Sequence, residues 1–106
     1  MSDWRFCPRC AAGLATIDLD GRPRLACRNG CGFVHWDNPA PVLAALVEYD
    51  GRILLARNHA WAAGAFGLIS GFLEGNEDPA AGVAREVREE LGLAIDAVTL
   101  IGVYPF

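Results

Sequence analysis

Four cysteines limit, more than any other feature, what the first third of this 106-residue chain can become. Cys7 and Cys10 form a C-x2-C knuckle, Cys27 and Cys31 a C-x3-C pair, and sixteen residues separate the two. Within that interval, "TIDLDGRPRLA" alternates apolar and polar residues around Asp20-Gly21, a dipeptide that favours a tight hairpin turn. Two knuckles joined by a hairpin can bring four thiolates tetrahedrally around one zinc ion. The alternatives are two disulfides or four unlinked thiols. The opening "MSDWRFCPRC" has no apolar run of signal-peptide length, and no later segment is long enough to cross a bilayer. A cytoplasmic location is therefore expected, and a reducing compartment favours metal over disulfides. Four cysteine ligands leave no open coordination position, so this zinc is expected to be structural and to supply much of the folding energy of its segment.

Charge divides the chain. Residues 1–36 carry five Arg and three Asp, formally +2, whereas residues 37–106 carry four Arg and ten acids, −6. Four thiolates and Zn²⁺ add −2, which cancels the basic excess of the first segment. With a net charge of −4, the chain does not read as one that holds nucleic acid by bulk electrostatics. Cysteine stops and Ala, Val and Leu take over near "HWDNPAP", which places the domain boundary near Asp37–Pro41. Two domains are expected, 1–37 and 38–106.

In the second domain, "PVLAALVEY" and "RILLAR" flank Asp50-Gly51 and read as a β-hairpin, and "FGLIS" reads as a shorter strand. Asp78 is a good N-cap, Pro79 suits the first helical position, and Gly92 can close the C-terminus, which predicts a helix over 79–91. "AIDAVTLIGVY" then reads as a returning strand. On the helix, Ala80, Ala84, Val87 and Leu91 form the apolar stripe. Glu86, Glu89 and Glu90 are expected opposite it, within roughly 100° of arc. Like charges so placed repel. They could simply face solvent, with Arg85 and Glu89 paired at i,i+4, or they could hold a divalent cation.

The wider pattern decides between these. Gly71, Glu77, Arg85, Glu86, Val87, Glu89, Glu90, Gly92 and Leu93 fit G-x5-E-x7-R-E-U-x-E-E-x-G-U at all nine positions, with U aliphatic. This is the Nudix box, and the chain resembles the Nudix hydrolase superfamily. With the cysteine ribbon, "NPAPV" and "LISGFLEGNE", it is similar to the zinc-ribbon group that includes the NADH pyrophosphatases. The resemblance implies an α/β fold: part of the Nudix α/β/α sandwich with a mixed sheet, preceded by a four-cysteine zinc ribbon. It also implies Mg²⁺- or Mn²⁺-dependent hydrolysis of a nucleoside diphosphate linked to another moiety, of the NADH or ADP-ribose type. By the same resemblance Glu86, Glu89 and Glu90 bind the metal with the Gly71 carbonyl, while Glu77 and Arg85 orient them as members of the catalytic set. Asn76 stands where that pattern usually has Gly; Asn tolerates positive φ better than most residues. Family members continue past the equivalent of Phe106, so the C-terminal strands and helix are expected to be missing here.

The remaining side chains are less constrained. Arg57 and Phe66 are expected substrate contacts, Arg57 by reaching a phosphate, the alternative being a solvated arginine at a strand end. Trp36 and Trp61 could stack a base but are read as packing residues, and His35 and His59 as packed or surface histidines. A nucleotide-type small molecule is the expected partner, without a membrane, and an open sheet edge would favour a homodimer. The alternatives are hydrolysis of NAD caps on RNA and a nucleotide-binding module without turnover.

Overall fold

The computed structural model describes residues 3–106. The chain forms two compact units, the first ending at Pro39 and the second beginning at Ala40. In the first, β1 (Leu14–Leu19) and β2 (Arg22–Cys27) pair antiparallel from Leu14↔Cys27 to Leu19↔Arg22, and β3 (Val34–His35) adds to β2. The turn works because Asp20 (φ 52°) and Gly21 (φ 80°) both accept left-handed backbone, matching the twist of the flanking strands. Asp18 Oδ1 accepts the Gly21 N–H at 3.1 Å and tightens it. Among the described residues of this unit only Cys7, Leu14 and Ala26 are buried, so its apolar core is very small.

In the second unit, β4 (Val42–Ala45) pairs antiparallel with β7 (Ile69–Phe72), and β5 (Val47–Tyr49) with β6 (Arg52–Leu54) through a second Asp-Gly turn at Asp50 (φ 51°) and Gly51 (φ 72°). A bridge between Ala56 and Gly67 draws the end of β6 toward the start of β7. Helix α1 (Pro79–Leu91) packs on β4 and β7. Ile69 and Val87 are fully buried against Ala45, with Val47, Ala56, Val83, Leu91 and Ile95 around them. The architecture is α/β, and every strand pairing among the described residues is antiparallel.

Three expectations need correction. "PVLAALVEY" is not one strand: it breaks at the half-exposed Leu46, because its two halves pair with different partners, β7 and β6. Residues 94–104 form no strand. Leu100, Ile101, Val103 and Tyr104 stand exposed, and no neighbouring strand among the described residues pairs with them, so the ladder that stabilises extended backbone is missing. On α1, Ala80 is exposed, while Gly82 and Glu86 join Val87 on the buried face. Glu86 is thus not on a solvated far side.

Candidate active site

The site is built where the loop after β7 meets α1. Asp78 caps the helix by accepting the Ala81 N–H at 3.1 Å, Pro79 opens it, and Gly92 closes it at φ 68° with its N–H donated to the Arg88 carbonyl at 2.9 Å. Asn76 takes the left-handed conformation the loop requires, at φ 60°. These local devices fix which side chains α1 turns toward β7.

Arg85 organises what lies there. Its Nε donates to Glu77 Oε2 at 2.6 Å, and one terminal nitrogen donates to Glu77 Oε1 at 2.9 Å and to the Phe72 carbonyl at 3.2 Å. The other terminal nitrogen donates to Glu86 Oε1 at 2.9 Å and Glu89 Oε2 at 3.2 Å. Glu77 also accepts the Glu74 N–H at 3.1 Å. The Arg85 hydrogen bonds, with that backbone donor, lower the Glu77 carboxyl to about 2, and Glu77 in turn raises the Arg85 guanidinium.

Glu86 is 8% exposed, an unusual degree of burial for a carboxylate. It lies so close to β7 that a Cβ on Gly71 would overlap its carboxyl group. Gly82 has a similar role: a Cβ there would come within 2.7 Å of Glu77 Oε1 and 2.8 Å of Leu43 Cδ1. Sequence reasoning missed Gly82, although a glycine inside a helix costs about 1 kcal/mol relative to alanine and commonly marks close packing.

Glu90 faces elsewhere. It lines a cavity of about 390 Å³ with Ala56, Arg57, Asn58, Trp61, Leu68 and Ser70. Arg57 therefore stands in the same wall as an acid of the glutamate helix. Phe66 is 60% exposed and does not line this cavity, whereas Trp61, read from sequence as packing, does. Arg85 holds Glu86 and Glu89, whereas Glu90 lies in the cavity lining. Among the described residues, only the cysteines form a group of three or more ligand-type side chains whose donor atoms all converge.

In that group the four Sγ atoms lie within 4.8 Å of one another, with Cys7–Cys31 at 3.4 Å and Cys10–Cys27 at 3.5 Å. No pair is disulfide-bonded. Ligands about 2.3 Å from a tetrahedral ion would be about 3.8 Å apart, so the spacing fits a metal centre. The backbone N–H of Cys31, with that of Asn29, lowers the Cys27 thiol to about 6. The backbone N–H of Phe33 lowers Cys31, but side-chain hydrogen bonds with Cys7 and Cys27 outweigh it and raise that thiol to about 12. His35 is packed instead, its ring stacked on Trp4 at 4.6 Å, while His59 is exposed. Arg24 lies 5.9 Å over the Trp36 ring and donates to the Trp36 carbonyl. No helix among the described residues is long and apolar enough to cross a membrane.

Residues 37–106 match the sequence model described as "NUDIX domain". The chain is 34% identical over 95 residues to an NAD-capped RNA hydrolase of Stutzerimonas stutzeri, covering 90% of this chain and 33% of that protein. It is 32% identical over 102 residues to one from Vibrio atlanticus, covering 96% and 37%, and 40% identical over 93 residues to one from Mycobacterium tuberculosis, covering 79% and 29%. It therefore spans about a third of the length of these relatives. The crystal structure of a NUDIX hydrolase from Nitrosomonas europaea superimposes with a TM-score of 0.68 at 29% identity, over 81% of this chain and 50% of that one. With a matched domain that takes in both the β7 loop and the glutamate helix, the chain belongs to the Nudix family.

Proposed function

We propose that this chain carries the metal-binding region of a hydrolase that cleaves the diphosphate of a nucleoside diphosphate linked to another moiety, as in NADH or ADP-ribose. The observation behind this reading is the buried Glu86 carboxylate, pressed against Gly71 and held by an Arg85 that is itself clamped to Glu77. A carboxylate placed there at the cost of burial is a hard oxygen donor with its position fixed. Mg²⁺ or Mn²⁺ accepts one or two such carboxylates and keeps water or phosphate oxygens for the rest, so Glu86, with Glu90 and Glu89 nearby and the Gly71 carbonyl, fits that requirement. When bound, the metal lowers the pKa of an attacking water and neutralises charge on the diphosphate. Arg85 and Glu77 position the acidic side chains, and Arg57, which lines the same cavity as Glu90, supplies positive charge for a phosphate. The four-cysteine cluster holds a structural zinc, because four thiolates complete its coordination.

The relatives named as NAD-capped RNA hydrolases favour a second substrate of the same chemistry, an NAD-type dinucleotide at an RNA 5′ end. The protein with Mg²⁺ or Mn²⁺ should hydrolyse at least one of NADH, ADP-ribose and NAD-capped RNA. Glu90→Gln should abolish that turnover; undiminished turnover would remove the metal role of Glu90. Turnover of none of the three would leave a nucleotide-binding module instead.

A further inference from the structure

The cavity beside Glu90 has one wall that the hydrolytic reading does not use. Trp61, 45% exposed, is the one aromatic ring among its lining residues. The loop that carries it is held by its own backbone: the Trp61 N–H donates to the Asn58 carbonyl at 3.0 Å, the Ala60 N–H to Asn58 Oδ1 at 2.8 Å, and the Ala65 N–H to the Ala62 carbonyl at 3.0 Å. Two bonds of 2.8 and 2.9 Å between Ala56 and Gly67 close the loop at its base. The edge of the indole rests on Gly67, where a Cβ would stand 3.1 Å from Trp61 Cη2 and 3.3 Å from Cζ3. A Cβ at 67 would make the ring shift by a few tenths of an ångström. An exposed tryptophan held this way presents a fixed aromatic surface at little entropic cost.

We propose that Trp61 is a substrate-binding residue whose indole stacks the planar base of the nucleoside diphosphate, with Gly67 as its seat; this rests on the proposed function of the same site. The chemistry of the wall matches the ligand. Arg57, and Glu90 through a metal it would hold, suit a diphosphate, and Ser70 and Asn58 add polar groups to the same lining. A cavity of about 390 Å³ is within the usual range for small-molecule sites. Stacking a base on an aromatic side chain tolerates any base, because each has a π-face.

The test is equilibrium binding of ADP and of inorganic pyrophosphate to the zinc-loaded chain in Mg²⁺, by calorimetry. Trp61→Ala should weaken ADP roughly tenfold or more and leave pyrophosphate unchanged, as expected for a lost stacking surface. Trp61→Phe should restore most of the ADP affinity. An ADP affinity unchanged in Trp61→Ala, equal weakening of both ligands, or no ADP binding by the unaltered chain would each overturn the proposal. Because the readout is binding, it is separate from turnover: ADP held through Trp61 by a protein that hydrolyses nothing would defeat the hydrolase reading alone.

Discussion

Arginine has five N–H donors, and at position 85 all five find acceptors: two on Glu77, one each on Glu86 and Glu89, and the Phe72 carbonyl. Lysine, with three donors on a point charge, cannot reproduce that fork. Arg85→Lys should therefore lower turnover by roughly 10- to 100-fold, the usual cost of losing a group that orients metal ligands, and steady-state kinetics would measure it. A retained rate would show that Glu86 holds its place unaided. The same pair predicts an acid-sensitive component of stability. Glu77 is depressed in the folded chain to about 2, below its ordinary value of 4.5, chiefly by Arg85. Its contribution is present above about pH 4.5 and is lost as the pH falls toward 2. Urea melts across that window should show Glu77→Gln with a flatter pH dependence than the unaltered chain; parallel curves would refute the assignment. Gly71 and Gly82 belong to the same set, since each makes room for a carboxylate that a side chain would displace.

At the scale of elements, legibility followed locality. Helix α1 runs from Pro79 to Leu91 as its cap, proline and closing glycine imply, because those signals act within a turn of the residues that carry them. Both Asp-Gly hairpins are likewise local and are present. The failures involve distant partners. Nothing between residues 94 and 104 states whether a neighbouring strand will pair with them, and nothing within α1 states that β7 would bury Glu86 while leaving Ala80 exposed. The nine-position pattern could mark the acids as a set, yet their individual directions depend on Arg85 and on the strand opposite. The cap itself is open to measurement. Asp78→Ala removes the acceptor for the Ala81 N–H and should cost about 1 kcal/mol in chemical denaturation. A change near zero would mean that packing on β7, and not the cap, fixes the start of the helix.

The two units differ in what holds them together. The second, like the first, buries three apolar residues outright, Ala45, Ile69 and Val87. Around these, however, pack five partly buried ones, Val47, Ala56, Val83, Leu91 and Ile95, and sheet and helix both contribute. The first has only Cys7, Leu14 and Ala26 buried among its described residues, far too little apolar surface to offset the ordering of its backbone. Its stability must come largely from the convergence of its four thiols, and crowded thiolates repel unless a cation sits among them. The protein should accordingly contain one equivalent of zinc. Withdrawing it with a thiol-reactive agent that releases zinc should abolish amide protection in β1, β2 and β3. Protection in β4, β7 and α1 should persist, since those elements are stabilised by their own core. Hydrogen exchange resolved by segment would read both outcomes at once. Uniform loss of protection would mean that the second unit depends on the first for its stability. Unchanged protection in β1 and β2 would mean that the hairpin stands without metal, leaving the cysteines a role other than folding.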